Sequence, residues 1–183
     1  VASAINYNST SVTNSPDAGR PNDGAVWVFA GLGPSGPSPG GVRNTPSRFY
    51  AGGDADINGQ FGRHLTAGDL DGDGKAEVIV GQPWGDTVVG GKTQIDAGAV
   101  RIFAGGALPQ QPPSTWTTAS KADLSLLGPT QYNYRGFHVA WGEATGDGLP
   151  DVIAGHWIDD LAIGDGGSVR VFAGRKGALP DTT

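Results

Sequence analysis

The chain has 183 residues, a formal charge of −6, 32 glycines and 13 prolines, and neither Cys nor Met. An acidic balance with no basic stripe argues against a nucleic-acid binder, and no apolar run approaches the roughly 18–20 residues of a membrane span. No disulfide can staple this chain, and abundant glycine between short apolar runs predicts an all-β fold.

Taken in order, the chain begins at Val1 without Met, which reads as a processed form or a fragment. Val1-Ala2-Ser3-Ala4 reads as a first strand, Gly24-Ala25-Val26-Trp27-Val28-Phe29-Ala30-Gly31 as a second, and Arg48-Phe49-Tyr50-Ala51 as a third. Strands are next predicted at about 61–68, 76–82, 98–105 and 122–128, then at 136–142, 152–155 and 167–174. The run 98–105 alternates, with Val100, Ile102 and Ala104 facing one way and Arg101 and Phe103 the other. Val78-Ile79-Val80 is continuously apolar, as in a strand buried on both faces. The Gly/Pro/Ser-rich stretch 31–46 and the stretch 110–118 read as surface connections. Connections 82–97 and 156–166 are long for hairpins, and long loops on a rigid scaffold are where binding usually resides.

Whole segments repeat in one frame. The segment 24–31 returns at 98–105 and again as Gly167-Ser168-Val169-Arg170-Val171-Phe172-Ala173-Gly174. Gly62-Arg63-His64-Leu65-Thr66-Ala67-Gly68 matches Gly136-Phe137-His138-Val139-Ala140-Trp141-Gly142, and Val78-Ile79-Val80-Gly81 matches Val152-Ile153-Ala154-Gly155. Each repeat therefore reads as four strands, A to D. Residues 1–53 hold B, C and D, 61–128 hold all four, and 135–176 hold A, B and C.

Between A and B of the full repeat lies Asp69-Leu70-Asp71-Gly72-Asp73-Gly74-Lys75-Ala76-Glu77. Its acids fall at positions one, three, five and nine. Such a loop can wrap a calcium ion, which takes six to eight oxygens at about 2.3–2.6 Å. Gly74 allows the sharp turn because it lacks a Cβ, and Lys75 would offer its backbone carbonyl. An EF-hand is excluded by Val80 at position twelve and by β-branched flanks in place of helices. The competing reading is a solvated acidic turn.

Phe61-Gly62, the loop from Gly68 to Gly74, and Val80-Gly81-Gln82-Pro83 together resemble an FG-GAP repeat, the blade unit of integrin α-subunit-type β-propellers. The resemblance implies four-stranded antiparallel blades around an axis, calcium loops between strands A and B, and an incomplete propeller in this chain. By position it places one calcium ion on Asp69, Asp71, Asp73, the Lys75 carbonyl and Glu77. A second, weaker site follows on Glu143, Thr145, Asp147, the Leu149 carbonyl and Asp151, where Thr145 replaces an acid. Arg135 stands at the Phe61 position, and Phe137 is expected to fill that space.

The implied function is non-enzymatic: a calcium-binding, extracellular or cell-surface segment for recognition, adhesion or assembly with a protein or glycan ligand. The missing blades would come from a longer chain, from a homo-oligomer or from a partner. A lectin of the same fold is the alternative, with Trp84, His156 and Trp157 at the rim offering ring faces to a sugar. An accessory propeller of a secreted hydrolase is another. His64 and His138, at equivalent positions, read as structural. Asp159, Asp160 and Asp165 read as solvated loop acids, and Asn8-Ser9-Thr10 is a lone glycosylation sequon. No nucleophile, zinc or phosphate-loop motif occurs.

Overall fold

A computed structural model describes residues 2–4, 23–29, 46–52, 58–106, 117–159 and 166–180. The sequon, Asp160, Asp165, connection 31–45 and residues 110–116 lie outside them. In chain order the strands are β1 (Ala2–Ala4), β2 (Ala25–Val28), β3 (Arg48–Ala51), β4 (Leu65–Gly68), β5 (Glu77–Gln82), β6 (Thr87–Val89), β7 (Lys92–Gln94), β8 (Ala99–Phe103), β9 (Thr117–Thr118), β10 (Leu124–Leu127), β11 (Arg135–Gly142), β12 (Asp151–His156) and β13 (Ser168–Phe172). Among the described residues there is no α-helix, and the fold is all-β as expected.

The middle sheet runs β10-β8-β5-β4, the D-C-B-A order of one antiparallel blade. A three-stranded sheet, β11-β12-β13, stands on one side of it, and β1-β2-β3 on the other. Strand β5 is buried along its whole length, and its two faces serve two cores. Ile79 joins Val100, Ile102, Leu126, Val139, Val152 and Phe172 towards the third sheet. Val78 and Val80 join Phe103, Phe61, Val26 and Tyr50 towards the first. The alternation of β8 thus divides its side chains between two blade interfaces, each driven by apolar burial.

Two features depart from the expected plan. The end of the stretch read as a surface connection, β9, pairs in parallel with β3. The connection after β5 contains a further hairpin, β6-β7, turning at Gly90 and Gly91 with φ of 59° and 77°. Such a Gly-Gly pair suits a two-residue hairpin, whose central residues need positive φ.

Blades are joined backbone to backbone by a device used twice. The Phe61 amide donates to the Asp23 carbonyl at 2.9 Å, and the Arg135 amide to the Ala97 carbonyl at 3.0 Å. The glycine that follows each carbonyl, Gly24 or Gly98, has φ of 80° or 73°. A Cβ there would stand 2.0 Å from the Phe61 oxygen or 2.4 Å from the Arg135 oxygen. This is why each strand C opens with glycine. Gly98→Ala is expected to cost about 2 kcal/mol, from a strained positive φ and a displaced blade contact. A urea melt measures it, and an unchanged midpoint would refute the contact.

Phe137 does not fill the Phe61 space. Phe61 is fully buried and edge-on to Phe103, with ring centres 6.1 Å apart. At the equivalent place Arg135 is itself buried, its guanidinium 5.2 Å from the centre of the Phe172 ring. A cation–π pair has replaced an aromatic pair, and Phe137 lies elsewhere, at the rim.

Candidate metal centre

The loop joining β4 to β5 is folded around its own carboxylates. Asp69 Oδ1 accepts from the Gly72 and Asp73 amides at 2.8 and 3.1 Å, and Oδ2 from Gly74 at 2.9 Å. Gly72 and Gly74, with φ of 78° and 84°, turn those amides inward. Leu70 points the other way and is buried in the core, so the loop is anchored from beneath. Glu77 is buried, with Oε2 accepting from Leu70 N at 2.7 Å and Oε1 from Gly105 N at 2.9 Å. It ties the loop entry to the end of β8.

Asp69, Asp71 and Glu77 each present a carboxylate oxygen, all within 4.8 Å of one another. Oxygens held at 2.3–2.6 Å from one calcium ion can be at most about 5 Å apart, so this spacing fits such an ion. The group can hold a cation. Asp73 is turned outward, its carboxylate 2.5 Å from the exposed Lys75 ammonium. The Lys75 hydrogen bond holds the Asp73 pKa below its ordinary value.

The second loop repeats the scaffold with fewer acids. Glu143 accepts from the amides of Thr145, Gly146 and Gly148, as Asp69 does from its own loop. Asp147 accepts from Leu149 N at 2.8 Å. Asp151 is fully buried and takes the Glu77 role, accepting from Ala144 N and Gly174 N, both at 2.8 Å, and from Thr145 N at 3.0 Å. Burial pushes the Asp151 pKa up, but the amides of Gly174 and Ala144, with Thr145, outweigh it and leave the pKa below ordinary. Among the described residues, no other three His, Cys, Asp or Glu side chains converge as Asp69, Asp71 and Glu77 do.

Residues 61–103 match the FG-GAP repeat family. That segment is an FG-GAP repeat. It begins at Phe61, contains the metal loop and ends with β8, so the matched unit is three of the four strands of the middle blade. FG-GAP repeats are non-catalytic propeller repeats, typical of extracellular and cell-surface proteins. No curated protein matches the chain.

Away from this FG-GAP loop, the rim residues separate. Trp84 packs on Phe137 and Tyr134 at 5.6 and 5.9 Å, with Arg63 stacked over Phe137 at 4.8 Å, so it bridges the middle and third sheets. Trp157 touches the same cluster but is 55% exposed. His156 is not at the rim surface. It is buried, accepting from Arg135 Nε at 3.2 Å on Nε2 and facing Asp159 at 3.3 Å on Nδ1. Asp159 is also buried and accepts from Ser168 at 2.5 Å, so it is not a solvated loop acid. Sequence reading passed over Arg63, Tyr132 and Tyr134. The Gln131-Tyr132-Asn133-Tyr134 run was the available signal.

His64 and His138 meet across the blades, ring centres 5.1 Å apart, with the Val139 amide donating to His64 Nδ1 at 3.4 Å. Burial, then the neighbouring His138, lowers the His64 pKa. The pair is two ligands short of a zinc site.

Proposed function

We propose that this chain is a calcium-clipped segment of an FG-GAP β-propeller, acting in recognition or assembly outside the cell or at its surface. In this reading 1–53 and 135–176 are partial blades flanking the full blade 61–128. The convergence of Asp69, Asp71 and Glu77 at the β4–β5 turn carries the calcium part. Asp73 would join by exchanging Lys75 for the ion, and Lys75 would add its carbonyl. The second loop, with Glu143, Thr145, Asp147, Leu149 and Asp151, would bind more weakly for want of one carboxylate.

Strand β13 supports the assembly part. Among the described residues only β12 pairs with it. Val169 and Val171 are 67% and 45% exposed, whereas their repeat partners Val100 and Ile102 are fully buried. An apolar strand with an open edge is a template for another strand. That strand would come from a second copy or from the rest of a longer chain.

Calcium that binds only the folded form stabilises it by about 2.7 kcal/mol at a hundredfold excess over Kd. For a chain of this size that is a rise of roughly 5–10 °C in Tm. Calorimetry in calcium and in chelator is expected to show that shift, and Asp71→Ala to remove most of it. Superimposable melts of the wild type would sink the calcium reading.

A further inference from the structure

We propose that the turn 130–134, together with Ile158 and Asp159, is a binding pocket for one neutral saccharide residue. This gives a ligand class to the recognition role proposed above. The turn links β10 to β11 and borders a cavity of about 360 Å³. That is at the small end of ligand pockets, matched to one sugar ring rather than a long chain.

Three observations point to a ligand. The first is Asn133. It is only 2% exposed and lines the cavity, yet neither its Nδ2 nor its Oδ1 completes a hydrogen bond. Native folds rarely leave a buried amide so, since each unmet group costs roughly 1–3 kcal/mol. The second is backbone strain on both sides of it. Tyr132 and Tyr134 have φ of 57° and 52°, unusual for bulky residues. The middle blade imposes this, with Tyr132 N donating to Ile95 O at 2.8 Å and Tyr134 N to Asp96 O at 3.2 Å. The turn is thereby held with Asn133 buried and the tyrosines flanking it. Strain kept in place by surrounding structure gathers at ligand sites.

The third observation is a run of exposed ring faces. Tyr132 is 51% exposed, its ring centre 6.5 Å from Tyr134, which in turn lies 5.8 Å from Trp157. Such rings suit the C–H face of a pyranose.

The polar groups select the ligand's charge. An amide with both donor and acceptor open wants a group that donates and accepts, which a hydroxyl does. Asp159 at the wall disfavours an anion. Arg135 and Arg170, which act electrostatically on Asp159 and its neighbour His156, disfavour a cation. A neutral polyol remains.

The test is saturation-transfer NMR on the full chain in calcium, against glucose, galactose, mannose, fucose and N-acetylglucosamine. At least one sugar is expected to bind, with about tenfold weaker affinity in Asn133→Ala. The exposed Tyr132→Ala, which removes no core contact, is expected to weaken it similarly. Asn133→Ala should keep or raise Tm, because it deletes an unmet amide. No binding by any sugar, or binding untouched by both variants, would overturn the site. The calcium-dependent shift in Tm is read separately, so a failure here leaves the clip standing and the converse also holds.

Discussion

Glu77→Ala is expected to lower stability by about 3 kcal/mol whether calcium or chelator is present, whereas Asp71→Ala loses only the calcium-dependent part. The difference follows from what each carboxylate does without an ion. Glu77 satisfies two backbone amides, Leu70 N and Gly105 N, and is buried while doing so. Deleting it strands both donors, at roughly 1–3 kcal/mol each. Asp71 accepts one amide, that of Asp73, at 3.0 Å in an exposed loop. Water can replace it there. Differential scanning calorimetry should show a drop of roughly 10 °C for Glu77→Ala in chelator and almost none for Asp71→Ala. Equal drops in chelator would refute the separation of roles.

The same residue position explains the second loop. Asp151 sits where Glu77 sits, one methylene shorter, and holds three amides rather than two. Its depressed pKa gives stability that is complete above the unfolded value of about 3.9 and lost as pH falls through the folded value. This holds even if calcium never enters the loop. The ninth acid of each loop is therefore a joint between the A–B turn and the end of strand C, and the ion would reinforce a joint already made.

Much of this was legible in the sequence because the repeats share one frame. The strand positions 76–82, 98–105 and 122–128 contain β5, β8 and β10, and the D-C-B-A order follows from the blade. Gly98 and Gly24 were visible as repeated letters, but the carbonyls they admit belong to the next blade, so their reason was hidden. The β6-β7 hairpin was signalled by Gly90-Gly91 and was read only as a long connection. His156 and Asp159 were misplaced for a different cause. A His beside a Trp at a loop start looks exposed, and only the fold shows Arg135 arriving from β11 to bury both. Asp73 illustrates a further limit: spacing puts it in a ligand set, while Lys75 two residues on competes for it.

Arg135 is the place where one repeat departs from the other, and removing it should have the largest effect in the third blade. Its guanidinium donates to His156 Nε2 and to the Leu127 carbonyl, and covers Phe172. Arg135→Ala should cost about 3–5 kcal/mol, since it opens a hole and leaves a buried polar network without its cation. The network also sets a pH dependence. Burial, then the Arg135 charge, pushes the His156 pKa down to about 4, while Asp159 pulls the other way. The folded ring is then neutral where the unfolded ring, near 6.5, has already taken a proton. Below pH 6.5 the unfolded state binds the extra proton, so stability falls with pH and the loss is complete near pH 4. Its size is about 3 kcal/mol. His156→Gln installs the residue that Gln82 supplies in the middle blade and cannot titrate. Urea unfolding of wild type and variant at half-unit steps from pH 7 to 4 should give a steep and a shallower curve. His64, with its own lowered pKa, contributes to both curves and cancels in the difference. Parallel curves would mean that His156 is not held neutral by this network.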